Sequence, residues 1–210
     1  MTSLILSLGL TSVSGFYGKI PARGDFVRAG LPRSFTDPWD NWLQTAIADS
    51  RPLLGPVWTD AWLEAPIWRF QLPSGISGPH AALGLFMPSI DRAGRHFPLS
   101  FVCLAELALP ESGWPAEAYA WLDQAEAAGF AALEHDLDPD ALERHLKADD
   151  ATPTEASPPP PSPPRDMSAW WTQGSPRVPA TSFATKGLPT AEQFARMLDA
   201  NTPLSKPESR

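Results

Sequence analysis

The 210-residue chain reads as an α/β protein. The expected architecture is one antiparallel or mixed sheet of about five strands covered by helices on both faces, a three-layer α-β-α sandwich. Two observations carry this. Short, nearly charge-free runs bounded by Pro and Gly recur at 81–87 and 97–104, as buried strands do. Between and after them, apolar residues repeat at intervals of three and four, the period of a helix with one buried face. The hydrophobic fraction of 43% is ordinary for a chain with a core of this size.

Residues 1–14 are mildly apolar, lack a basic leader, and hold in 4–10 a run too short to span a bilayer. They read as an N-terminal lead-in, or equally as the product of a misplaced start codon. A strand is expected over 16–20, then a turn-rich loop over 21–26 that sets Arg23 and Asp25 close to Lys19. Asp37 before Pro38 predicts a helix start, because the carboxylate can cap free amides and proline at the first helical position has no N–H to lose. Trp39, Trp42, Leu43, Ala46 and Ile47 then form one apolar stripe of about three turns. Trp58 and Trp62 repeat the spacing on a shorter helix closed by Pro66.

Residues 67–72 alternate Ile67, Arg69 and Gln71 with Trp68, Phe70 and Leu72, a half-buried strand. The hairpin of 81–107 follows. Ala-rich 115–133 predicts a helix, and Asp138-Pro139 opens another that reaches Lys147. Short strands are expected over 168–172 and 178–183, and Thr190 caps a last helix with Phe194, Met197 and Leu198 on one side. Trp170 and Trp171 point to opposite faces of their strand. Either that strand is covered on both sides, or one ring is left for a partner.

Proline is 25 of the residues, and the run 157–164 cannot pack as a helix or central strand. Residues 151–166 therefore read as a Pro-rich disordered insertion, a spacer in preference to an SH3-type ligand. The expected organisation is a lead-in over 1–14, a core over 15–150, the insertion, a C-terminal part of the same domain over 167–202, and a tail over 203–210.

Sixteen basic against 24 acidic residues give a net charge of −8. The acidity is local: 101–165 holds 3 basic and 13 acidic residues, while 1–100 holds 8 and 7. Such a balance argues against a nucleic-acid partner or an anionic membrane surface, and no membrane insertion is expected. A single cysteine, Cys103, excludes an intramolecular disulfide and a Cys-based zinc cluster, which fits a reducing cytoplasm.

The charged knot lies at 88–99, where Asp91, Arg92, Gly94 and Arg95 separate the two most apolar runs. Two readings stand side by side. Asp91 can pair with Arg92 or Arg95 and merely fix the turn, or the guanidiniums can face an anion. With the neighbouring loop, the candidate partner-binding residues are Lys19, Arg23, Asp25, Asp91, Arg92 and Arg95. Catalytic signatures are incomplete. Gly15 to Lys19 lacks the spacing of a phosphate-binding loop, and 136–147 has Ala141 and Lys147 at the two strictest positions of a calcium loop. His135 and His145 match no zinc spacing, and no Gly-x-Ser-x-Gly elbow occurs. No catalytic residue, metal or cofactor is expected. The runner-up is a small hydrolase or phosphate-handling enzyme using Arg92, Arg95 and His96, with His96 as base and Asp91 orienting it.

Three segments resemble the TagF (ImpM) family of type VI secretion system-associated proteins. They are Gly15-Phe16-Tyr17-Gly18-Lys19-Ile20-Pro21-Ala22-Arg23-Gly24-Asp25-Phe26-Val27, the stretch from Leu31-Pro32-Arg33-Ser34-Phe35 into Trp39-Asp40 and Trp42-Leu43, and the knot from Pro88 to Leu99. Trp170-Trp171 and Gly187-Leu188-Pro189 are similar to the family's closing segment. The resemblance implies a cytoplasmic, non-catalytic regulator that represses secretion after translation. Its implied partner is the forkhead-associated-domain scaffold protein of that system.

Overall fold

A computed structural model describes residues 12–105, 113–147 and 166–203. Seven strands form one antiparallel sheet in the order β2-β1-β5-β4-β3-β6-β7. The strands are β1 (Ser12–Gly18), β2 (Val27–Ala29), β3 (Trp68–Leu72), β4 (Ala82–Met87), β5 (Leu99–Ala105), β6 (Met167–Thr172) and β7 (Thr181–Lys186). The helices are α1 (Arg33–Leu54), α2 (Trp58–Leu63), α3 (Ala116–Glu134), α4 (Pro139–Lys147) and α5 (Ala191–Leu198). The expected count of about five strands is too low. Three-residue β2 is too short to carry an alternation signal, and β7 lies about three residues beyond the predicted 178–183.

β4 and β5 are buried along their whole length, as their apolar runs predict. Their residues alternate between two separate clusters. Ala82, Phe86, Val102 and Leu104 pack with α1, α2 and α5, whereas Leu83, Leu85, Phe101 and Cys103 pack with α3 and α4. Neighbouring residues of a strand point to opposite faces, so the two clusters are divided by the sheet.

The first cluster is built from indoles. Trp39 stacks 5.6 Å from Phe35 and lies 4.7 Å from Phe70, and Phe70 in turn meets Trp170 at 5.2 Å. Each buried indole N–H needs an acceptor. Trp39 donates to Ser100 Oγ, Trp58 to Ser50 Oγ, Trp62 to the Ser89 carbonyl and Trp68 to the Met197 carbonyl. Gly84 makes room for this packing. A Cβ there would lie 2.6 Å from the ring of Phe70, its cross-strand partner.

The second cluster is close-packed by small residues. Ala118, Ala125, Ala128 and Ala132 are buried on α3, and a Cβ on Gly129 would collide with Met87. The helix therefore sits nearer the sheet than larger side chains would allow.

Helix α1 begins at Arg33, four residues before the expected start at Asp37. Pro32 occupies the cap position and Pro38 lies inside the helix, where it removes the amide that would bond the Ser34 carbonyl. Gly78 packs onto that carbonyl, a contact that only a residue without Cβ can make. The cap at α5 is as predicted. Thr190 Oγ1 accepts from the Gln193 amide at 3.2 Å, and Gln193 Oε1 accepts from the Thr190 amide at 2.9 Å, a reciprocal box.

Trp170 and Trp171 are both buried, Trp170 in the first cluster and Trp171 in the second, so β6 is covered on both faces. Strand β6 thus joins the sheet from the far side of the Pro-rich run. The expected disordered insertion over 151–166 falls, except for Asp166, outside the described residues, as do 1–11 of the lead-in and 204–210 of the tail.

Candidate loop-tip interface

β1 ends at Gly18 and β5 begins at Leu99, directly opposite in the ladder, so the segments beyond them emerge side by side. The 88–98 connection extends the β4–β5 hairpin through a single bridge between Ile90 and His96. At its tip, the Asp91 amide donates to the Arg95 carbonyl at 3.1 Å and the Gly94 amide to the Asp91 carbonyl at 2.8 Å. Gly94 takes φ 78°, a left-handed conformation that costs glycine least.

Asp91 organises both loops. Its carboxylate is fully buried. Oδ1 accepts the amides of Ala93 and Arg95, each at 2.9 Å, while Oδ2 accepts Lys19 Nζ at 2.7 Å and Arg95 Nε at 2.6 Å. Burial alone would raise its pKa. The Lys19 and Arg95 donors, with the two amides, outweigh burial and hold the carboxyl well below the usual carboxylate range.

The second loop is stitched to the first by backbone. The Arg92 amide donates to the Arg23 carbonyl at 3.0 Å, Ser89 Oγ to the Lys19 carbonyl at 2.8 Å, and the Arg95 guanidinium to the Gly24 carbonyl.

The six candidate residues therefore divide. Lys19 and Asp91 are buried and form the frame, whereas Arg23, Asp25, Arg92 and Arg95 are exposed. Of the two partners expected for Asp91, Arg95 makes the pair and fixes the turn, while the Arg92 and Arg95 side chains stay exposed.

Residues 15–148 match the family model described as the TagF N-terminal domain, type VI secretion system-associated. The chain belongs to this family. Its structure is also similar to the crystal structure of PA0076 from Pseudomonas aeruginosa PAO1, with a TM-score of 0.75, 32% identity, and coverage of 92% of this chain and 97% of that one. No curated protein matches the sequence. The matched stretch of this TagF-family chain ends before β6, although β6 and β7 complete the sheet and α5 packs against α1.

The expected His96–Asp91 dyad is not formed. The hydrogen bonds of the Asp91 carboxylate go to Lys19, Arg95 and Ala93, and His96 stands edge-on to Trp58 at 5.1 Å and Trp62 at 5.9 Å. Burial and then the nearby Arg51 charge lower the His96 pKa, which favours the neutral ring. Arg51 itself lies 3.7 Å above the Trp58 ring. Among the described residues no group of three or more His, Cys, Asp or Glu could hold a metal ion, and no helix is long and apolar enough to cross a membrane.

Two contacts in this region are not legible in the sequence. Ser89 bonds Lys19 across 70 residues, and Lys19 meets Asp91 across 72. No local pattern encodes such partners.

Proposed function

We propose that this protein is a non-catalytic, cytoplasmic regulator that represses type VI secretion system assembly or activity after translation by binding a forkhead-associated-domain scaffold component. The family supports the system, and the loop geometry supports action by occupancy. One observation carries the reading: Arg23, Arg92 and Arg95 stand at the surface on two loops locked together from beneath by buried Asp91 and Lys19. A rigid, charged tip of this kind suits recognition, since little ordering entropy is lost on contact. The same reading takes the fold as a three-layer α-β-α scaffold that presents these tips. A hydrolase using Arg92, Arg95 and His96 gains nothing from the geometry, because the imidazole has no orienting carboxylate.

The test is secretion in cells that carry the system. Wild-type protein supplied in excess silences export, and the Arg23→Glu, Arg92→Glu double variant at equal abundance does not. Equal silencing by the two proteins refutes the assignment of these loops.

A further inference from the structure

The loop tip also exposes an aromatic ring in otherwise polar surroundings. Phe26 is 44% exposed, yet it is firmly backed. It lies parallel to Tyr17 at 5.5 Å, meets Phe97 edge-on at 4.8 Å, and has Lys19 Nζ 5.1 Å from its centroid. Both supports are fixed in turn, because Phe97 is buried and Tyr17 Oη donates to Asp40 Oδ1 at 2.7 Å.

Arginines lie on the same loops and strand as this ring. Arg28 is directly opposite Tyr17 in the β1–β2 ladder, so the two side chains share a face. Arg23 and Arg92 are joined by a backbone bond, and Arg95 reaches the Gly24 carbonyl. Four exposed arginines and Lys19 therefore stand against Asp25, Asp91, Asp37 and Asp40 in this region, a small local excess of positive charge on a chain whose net charge is −8. The patch opposes the sign of the whole molecule, which steers an acidic partner to this face in preference to others.

We infer that this face docks an acidic segment of a protein partner, an apolar side chain of which covers Phe26 while flanking carboxylates pair with Arg23, Arg28 and Arg92. The inference rests on the regulatory reading above and adds the chemistry of what is bound. Aromatic and arginine side chains are the residues that dominate interface energetics, and here they are preorganised. Distributed carboxylates fit better than one phosphate. Arg95 already commits Nε to Asp91 and another nitrogen to the Gly24 carbonyl, which leaves it fewer donors for a phosphate, and the other guanidiniums are spread over two loops and β2.

Two measurements test this on the full-length protein. In the first, the purified scaffold is titrated against wild type, Phe26→Ala and Arg28→Glu, with thermal unfolding confirming that each variant is folded. Each substitution is expected to weaken binding by about 10-fold or more, the size of an interface hot spot, and added salt to weaken wild type more than Arg28→Glu. Unchanged affinity in both folded variants overturns the inference while leaving the regulatory reading intact. In the second, a photo-crosslinking amino acid replaces Phe26 or, as control, exposed Phe130 on α3 in cells carrying the system. Crosslinks from position 26 to an acidic peptide support the inference even if the scaffold fails to bind wild type, a result that would remove the proposed partner alone. A crosslinked peptide without carboxylates, or the same yield and target from position 130, overturns it.

Discussion

Two charged clusters in this protein are mirror images. At the loop tips the buried member is a carboxylate, Asp91, and the exposed partner is Arg95, whose side chain is 61% accessible. On β3 the buried member is a guanidinium, Arg69, which reaches Asp123 at 2.6 Å and Glu126 at 2.7 Å on α3, both of them partly exposed. Burial opposes the Arg69 charge, but Glu126 and Asp123 outweigh it and raise the Arg69 pKa. The physics is shared: a buried charge is made tolerable by partners of opposite sign, which at the tip include buried Lys19 as well as exposed Arg95. The surface consequence is reversed. The first cluster shows positive charge to solvent and the second shows negative, so only the first departs from the acidic character of the chain.

The comparison is broken most severely by removing the buried member at the tip. Asp91→Ala leaves Lys19 buried without its carboxylate and frees two amides, and is expected to cost about 3–5 kcal/mol in denaturant unfolding. Arg69→Met is expected to cost less, about 1–3 kcal/mol, because Asp123 and Glu126 can turn to water once unpaired. A larger loss for Arg69→Met than for Asp91→Ala would show that the two clusters are not organised alike.

Acid sharpens the contrast. The Asp91 pKa is depressed in the fold, so its stabilisation is complete above the unfolded value of about 3.9 and is lost as pH falls toward the lower folded value. Stability of wild type should therefore drop below about pH 4 with a component that Asp91→Asn lacks. His96 acts in a higher window. Its folded pKa lies below its ordinary value of 6.5, so its contribution is complete above that value and declines as pH falls beneath it. His96→Gln should flatten that decline, and Arg51→Gln should raise the imidazole pKa in an NMR titration. The smallest stability effect belongs to the exposed arginines. Arg23→Glu or Arg92→Glu should change stability by no more than about 0.5 kcal/mol.

Legibility in the sequence followed the range of the interaction. Strands β4 and β5 were readable because every residue in them is buried, and the α5 cap because Thr190 and Gln193 are three residues apart. The start of α1 is not legible locally, because Asp37-Pro38 has the form of a cap while the contact that accommodates Pro38 comes from Gly78, far along the chain. The candidate loops were visible through their charges. Their division into frame and surface was not, because Lys19 looks like any other lysine until Asp91 is placed beside it. Phe26 is illegible for the same reason: its support comes from Tyr17 on one strand and Phe97 at the end of another loop.

The central claim is that a locked, positively charged tip works by contact. Its most direct test is calorimetric titration of the purified forkhead-associated scaffold into wild type and Arg92→Glu, with stability of both confirmed. The account predicts saturable binding to wild type and an affinity at least about 10-fold weaker for the variant, the scale of a hot-spot charge at an interface. Equal affinity of scaffold for the two folded proteins would contradict it.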